Sequence, residues 1–258
     1  MTTTALTSTQ SRYTDYDRWA WLYNQTMGPR YCENQFPQLE QLLLPHLPSG
    51  ASILDLCCGT GHVAQQLHNQ RYRVIGLDGS EEMLTYARQN APEVEFILDD
   101  ARVFILPTPV DAAFSISSSL NHVTSLEELK AVFANVYTAL SNKGLFLFDL
   151  GLKGRYQNLP LLEGEITDDY AWAIGETYDT EQQAGTFKVT MFRPEGNGWQ
   201  RSDLVYPVKD YDWKEIRAAL ETTGFTQIHV YDRTGQPTNP EENQTVYFVC
   251  QKGGIPHE

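Results

Sequence analysis

Two features of this sequence are suited to holding a nucleoside. The first is the run Ile53-Leu54-Asp55-Leu56, followed by Cys57-Cys58-Gly59-Thr60-Gly61 and then a helical stretch from His62. Small residues at such a turn let backbone amides approach a ligand closely, and the helix that follows points its free N–H groups at it. Gly59-x-Gly61-x-x-Ala64 also fits the loose fingerprint of a dinucleotide-binding turn. The second feature is Asp78, which ends the apolar run 73–77 and lies 17 residues after Gly61. A carboxylate at the end of a second strand can accept from both hydroxyls of a ribose. Turn and acid together point to an adenosine-containing ligand, without saying which.

A third candidate is His122. It follows the apolar segment 111–116, at the carboxyl edge where open α/β sheets bind ligands. With an ordinary pKa of about 6.5, a histidine there could serve as a general base. The competing use is to satisfy nearby backbone. His62, just after the glycine turn, ranks below it. The six histidines and four cysteines show neither HxxxH nor CxxC spacing, so no metal site is legible.

These residues need a scaffold. From Ser52 onward short apolar runs alternate with helical stretches: strands at 53–56, 73–77, 95–98, 111–116 and 144–150. A helix occupies 62–69, Ser80 caps another, and Thr124-x-x-Glu127 reads as a capping box before the stripe Leu126, Leu129, Val132, Phe133, Val136. Alternation of this kind means a parallel α/β sheet. Ahead of it, helices are expected at Tyr16–Met27 and Glu33–Leu44. Between 151 and 210 the pattern changes to three strands, Trp172–Tyr178, Thr186–Phe192 and Trp199–Tyr206, with turn-rich joins. This reads as an antiparallel insertion serving as a lid. Its rings Trp172, Tyr178, Trp199 and Tyr206, with Tyr211 just after, are candidates for pocket walls or for the lid's own core. A helix at 213–223 and strands at 225–231 and 244–251 close the sheet. The expected organisation is a flexible arm 1–14, a binding domain 15–150 and 211–252, a lid 151–210, and a tail 253–258.

Composition narrows the partners. The chain has 258 residues, 41% hydrophobic, enough for a full core. Nineteen basic against 33 acidic residues give 19 − 33 = −14, which repels phosphate backbones and anionic lipid. Nucleic acid and membrane are therefore not expected as partners. A small-molecule acceptor is expected, and at most a second copy of the chain in a homodimer. The N-terminus carries no signal-peptide pattern, so a cytoplasmic location is expected.

On these motifs the chain resembles the class I S-adenosylmethionine-dependent methyltransferases. The family's acid-x-G-x-G-x-G stands here as Asp55-Leu-Cys57-Cys58-Gly59-Thr60-Gly61, with Cys57 where the first glycine is usual. Asp78, Ser80 and Met83 match its D-x-S-x-x-M, and Asp99-Asp100-Ala101 matches its G-D-A with Asp99 replacing glycine. Within the family the chain looks most like small-molecule amine and aminosugar N-methyltransferases. Their Y-D-x-x-A-x-x-Y stands here as Tyr16-Asp17 through Ala20 to Tyr23, and their post-strand segment resembles Ser115 to His122.

The resemblance implies a Rossmann-like α/β fold: a seven-stranded sheet, mostly parallel with the last strand antiparallel, and an antiparallel β insertion after the fifth strand. It implies S-adenosyl-L-methionine as cofactor. Asp78 would hold the ribose, Asp100 and the Ala101 amide the adenine, and Met83 the adenine face. The backbone of Cys57, Cys58, Gly59 and Gly61 would line the methionine part, with Asp55 organising that loop, Ser115 as a further cofactor-binding residue, Tyr16 and Tyr23 closing over the methionine end and His122 as base. The implied reaction is methyl transfer to a small-molecule acceptor, with an amine nitrogen ahead of a hydroxyl or phenol. A non-catalytic cofactor-binding protein and an NAD-dependent oxidoreductase stay open as alternatives.

Overall fold

The computed structural model describes residues 14–157, 162–179 and 184–253. The expected arm (except Thr14), the tail beyond Gly253 and the turn at 180–183 lie outside the described residues. The elements run α1 (Thr14–Gln25), α2 (Met27–Leu42), β1 (Ser52–Leu56), α3 (His62–Asn69), β2 (Arg73–Asp78), α4 (Glu81–Asn90), β3 (Glu95–Leu98), β4 (Val110–Ser115), α5 (Leu126–Ala139) and β5 (Leu140–Gly151). They continue β6 (Leu162–Ile166), β7 (Ala171–Asp179), β8 (Ala184–Glu195), β9 (Gly198–Val208), α6 (Trp213–Thr223), β10 (Phe225–Tyr231) and β11 (Thr245–Lys252).

The main sheet has the order β10-β11-β5-β4-β1-β2-β3. All its pairs are parallel except those of β11, which runs antiparallel between β10 and β5. Strand β1 is buried on both faces, as the continuous apolar run of a central parallel strand requires. Its alternate residues face different layers. Leu54 and Leu56 join Phe146, Phe148 and Phe248 under the α5 stripe Leu129, Val132, Phe133 and Val136. Ile53 joins Phe114, Leu147 and Tyr247 beneath Phe36 and Leu39 of α2 and Ala64 and Leu67 of α3. Helix α6 adds Ile216 and Leu220 to the first layer and ends at Gly224, in the left-handed conformation.

The second sheet, β6-β7-β8-β9, is an antiparallel meander. Its inner face carries Trp172, Ile174, Val189, Met191, Leu204 and Tyr206, packed on Trp19, Ala20 and Leu22 of α1. Strand β6 was not expected from the sequence, because Leu-Glu-Gly-Glu-Ile carries too few apolar residues to mark a strand.

Two local expectations are corrected. Helix α2 starts at Met27, not Glu33, and Gly28-Pro29 sits in its first turn. The N–H groups of a first turn have no intrahelical acceptor, so proline costs nothing there. The cap of α5 is Ser125, whose hydroxyl accepts from the Glu128 amide at 3.4 Å, not Thr124.

One side chain ties the second sheet to the first. Asn121, fully buried in the 3₁₀ turn Ser119–His122, donates to the carbonyls of Gly151 (3.1 Å) and Lys209 (2.6 Å). Its Oδ1 accepts from the Gly151 amide at 2.8 Å. Gly151 is where the chain leaves β5, and Lys209 is where it returns. Asn121→Ala strands three backbone groups, and urea titration should show a loss of roughly 2–4 kcal/mol.

Candidate active site

The turn after β1 is bare backbone. Cys57, Gly59 and Gly61 have φ of 62°, 52° and 75°, and Gly61 is the N-cap of α3. A Cβ on Gly61 would lie 3.0 Å from Ala87 Cβ and Phe96 Cζ, and one on Gly59 would lie 3.3 Å from Tyr23 Cε1. Glycine is required where the chain is both left-handed and crowded. Cys57 takes the same conformation with a side chain, which costs about 1–2 kcal/mol. Burial pushes the thiols of Cys57 and Cys58 up, so neither is a nucleophile at neutral pH.

Around this turn stand carboxylates. Asp78 accepts from the Gly59 amide (2.9 Å) and the Ser80 amide (3.0 Å), joining the turn to the start of α4. Burial raises its pKa, against the pull of those N–H groups. Asp55 is 3% exposed and its Oδ2 has no partner among the described residues. Burial, with the charge of Asp78, holds its carboxyl well above the usual range. Ser115 Oγ is likewise buried without a partner. Each such atom costs about 1–3 kcal/mol when left unpaired, and two beside one cleft mark a place for a polar ligand.

The tyrosines and Asp17 come from α1. Asp17 accepts from Ser80 Oγ at 2.6 Å and from the Glu82 amide at 3.3 Å, seating α1 on the positive end of α4. Tyr23 then lies over Gly59, with its ring 6.2 Å from Tyr31 of α2. Tyr16 reaches the other way, its Oη 2.9 Å from His122 Nδ1. Met83 is buried with Trp19 and Trp172. Asp100 faces Arg102: Nε donates to it at 2.7 Å, a second guanidinium contact joins the same carboxylate, and Arg102 also pairs with Glu128 of α5 at 3.0 Å. Ala101 is buried beside it, its carbonyl accepting from Asn135 at 3.2 Å.

His122 is ringed by aromatic side chains from three elements. Tyr16 lies 5.8 Å away, Tyr206 of β9 6.0 Å and Phe187 of β8 6.4 Å, all edge-on. Burial pushes its pKa down to about 4, so the expectation of titration near 6.5 is corrected and the ring is neutral at pH 7. Of the five rings considered for the pocket wall, only Tyr206 meets His122. Trp172 belongs to the sheet's inner core, and Trp199 is 52% exposed. Tyr178 accepts from Gln157 at the surface, and Tyr211 is buried in the main core. Trp199 and Tyr206 are an odd number of residues apart, so on one strand they face opposite sides. His62 bonds Thr60 Oγ1 at 3.0 Å, away from this cluster.

Sequence reasoning missed Phe187, Tyr31 and Asp149. A narrow cleft lined by Tyr23, Tyr31, Asp55, Cys57, Ser117 and Ser119 joins the turn to the loop that carries His122. No cluster of metal-ligating residues occurs among the described residues, and no helix there is long and apolar enough to cross a membrane.

Residues 53–144, from β1 into β5, match the family described as Methyltransferase domain. The chain is a class I S-adenosylmethionine-dependent methyltransferase. It is 24% identical to the YqeM protein of Bacillus subtilis (strain 168) over 246 residues, 92% of this chain and 97% of that one. It is 31% identical to the dTDP-3-amino-3,4,6-trideoxy-alpha-D-glucopyranose N,N-dimethyltransferase of Streptomyces venezuelae over 111 residues, 43% of this chain and 47% of that one. The fold is shared with Streptomyces venezuelae DesVI: TM-score 0.74 and 21% identity, covering 93% of this chain and 98% of that one. These matches are to methyltransferases, and the dinucleotide-like spacing at Gly59 and Gly61 therefore belongs to a methyltransferase turn.

The depressed histidine has a thermodynamic signature. The unfolded chain takes up the His122 proton near its ordinary 6.5, before the folded one does near 4, so its stabilising contribution is full above about 6.5 and is lost as pH falls toward 4. The melting temperature of His122→Asn should therefore fall less steeply than that of the wild type between those limits, in calorimetric scans at stepped pH.

Proposed function

We propose that this methyltransferase moves the methyl group of S-adenosylmethionine to the nitrogen of a small amine. The residues present fit the cofactor: Asp55 Oδ2 and Ser115 Oγ are buried acceptors lacking partners, beside a turn with no room for side chains. When bound, the cofactor supplies a methyl group already activated on a sulfonium. Asp78 would hold the ribose through the lone pairs its two amide bonds leave over. Met83 and the Ala101 amide would flank the adenine, with Asp100 kept in place by Arg102. The backbone of Cys57–Gly61, with Asp55 and Ser115, would hold the methionine part under Tyr23 and Tyr16. The second sheet acts as lid, Phe187 and Tyr206 walling the acceptor space.

The observation that carries the choice of nitrogen is the environment of His122. A hydroxyl acceptor must lose its proton in place, and a base with pKa near 4 is poorly matched to that work at pH 7. An amine sheds its proton to solvent before binding and attacks as the free base. Neutral His122, fixed by Tyr16, then needs only to orient the amine; transfer leaves a methylated ammonium cation, which gives up its proton to solvent. An acidic surface draws the protonated amine from solution before it sheds its proton, and aromatic walls stabilise the ammonium cation that forms on transfer. The aminosugar N,N-dimethyltransferase similarity supports the same class.

Two measurements test this. Asp78→Ala removes a charged acceptor, and calorimetry should show S-adenosylhomocysteine bound about tenfold or more weakly, with the fold retained. His122→Ala should lower kcat by about 10²-fold on an amine found by screening with labelled methyl donor, leaving cofactor affinity near wild type. Transfer confined to phenols in that screen would overturn the nitrogen assignment.

A further inference from the structure

The loop that presents His122 is strained and clamped. Ser117 and Ser118 have φ of 67° and 55°, two consecutive left-handed residues with side chains. Strain of this kind persists only where the surroundings over-determine it, and it gathers at functional sites. Here two side chains impose it. Gln35 of α2 accepts from the Ser117 amide (2.9 Å) and donates to Ser117 Oγ (3.1 Å). Asp149 of β5 accepts from the Ser118 amide at 2.8 and 3.0 Å and from Ser118 Oγ at 3.0 Å. The Ser118 carbonyl then accepts from the Asn121 amide at 3.0 Å, starting the 3₁₀ turn that ends at His122.

We infer that Asp149 is a positioning residue for this site: its carboxylate, with Gln35, holds Ser117–Ser118 in the conformation that brings His122 against Tyr16. The inference rests on the proposed role of His122. Asp149 is 4% exposed, and the fold keeps it charged at a cost. Burial pushes its pKa up to about 6, against the Ser118 bonds and the positive charge of Arg233 beyond β10. The other titratable groups around it are the phenols of Tyr156 and Tyr247, both pushed up by their own burial and in part by this carboxylate. A raised carboxyl makes the folded state hold its proton between 3.8 and about 6, so stability falls as pH rises through that window. Protonation removes acceptor capacity from the clamp, so the loop should loosen below about pH 6, well above the point where His122 itself takes a proton near 4.

The test follows the His122 imidazole by NMR in the full-length protein saturated with S-adenosylhomocysteine, which needs no acceptor. In the wild type its signal should show an inflection near pH 6 from Asp149 and its own titration near 4. In Asp149→Asn the inflection should vanish and the His122 titration should move up toward 6.5, while the melting temperature at pH 7 holds or rises. Ser118→Gly in the same background should return His122 to its low titration, because glycine takes that conformation without a clamp. A purely structural aspartate would give a lower melting temperature and no rescue. An unchanged His122 titration in Asp149→Asn would overturn the inference. If Asp149→Asn alone does not fold, the Ser118→Gly double variant and the wild-type inflection decide. Loss of turnover in His122→Ala with an unmoved titration in Asp149→Asn would sink this inference alone. A moved titration with full turnover in His122→Ala would sink the proposed role of His122 and leave the clamp.

Discussion

Everything in this molecule is arranged around a few residues of bare backbone. At Gly59 and Gly61 the chain turns left-handed with Tyr23, Ala87 and Phe96 at contact distance, and Gly76 beneath has Phe96 so close that a Cβ would come within 2.5 Å of it. Gly28 in α2 is bound by the same crowding: its Cβ would lie 2.6 Å from Thr60 Oγ1. Tyr23, Ala87, Phe96 and Thr60 can thus close on one turn only because Gly59, Gly61, Gly76 and Gly28 place no side chain in their way. The close approach fixes how α1 and α2 cross the carboxyl edge of the sheet, and that crossing decides where Tyr16 and Tyr23 can reach.

The same edge concentrates acidic groups. Asp55, Asp78 and Asp149 lie near the carboxyl ends of β1, β2 and β5, and burial draws all three upward from the ordinary carboxylate range. No packing argument favours three desolvated acids at one end of a sheet. Asp78 organises the turn and Asp149 the His122 loop, while Asp55 Oδ2 has no partner among the described residues. Stability is spent where geometry must be held, a pattern expected of sites that bind and react.

What could be read in the sequence was local. Asp55, the turn, Asp78 and the α5 stripe stand within short windows whose spacing reflects strand and helix geometry, and the structure places them on those elements. The Tyr16–Tyr23 pattern was legible as a helix face, but the role of Asp17 as an anchor on α4 was not, because Ser80 is 63 residues away. Gln35 meets Ser117 across 82 residues and Asp149 meets Ser118 across 31, and no periodicity marks such pairs. Phe187 and Tyr206 were hidden differently. In a two-faced sheet the inward residues are known only once the packing partner is fixed, and strand alternation alone puts Trp199 and Tyr206 on opposite faces without saying which is the inner one.

The roof over the proposed acceptor space is held by few ties. Tyr206 donates to the Asp15 carbonyl at 2.9 Å, and Arg30 of α2 meets Glu163 of β6 at 2.6 Å, with both side chains about two-fifths exposed. A part-exposed ion pair is worth at most about 1 kcal/mol and a neutral hydrogen bond about the same. The apolar contact of Trp19 with Phe187 and Tyr206 contributes more, yet it is an interface between two elements and not the interior of either. At the root the balance is reversed, since Asn121 is fully buried and binds both crossing strands. Along the inner face the second sheet is packed throughout on Trp19, Ala20 and Leu22. Asn121 and His122 are adjacent in the chain, so the side chain that joins the two sheets also fixes the residue that Phe187 and Tyr206 enclose. The aromatic wall thus comes from the second sheet, while the ring it encloses belongs to the loop after β4.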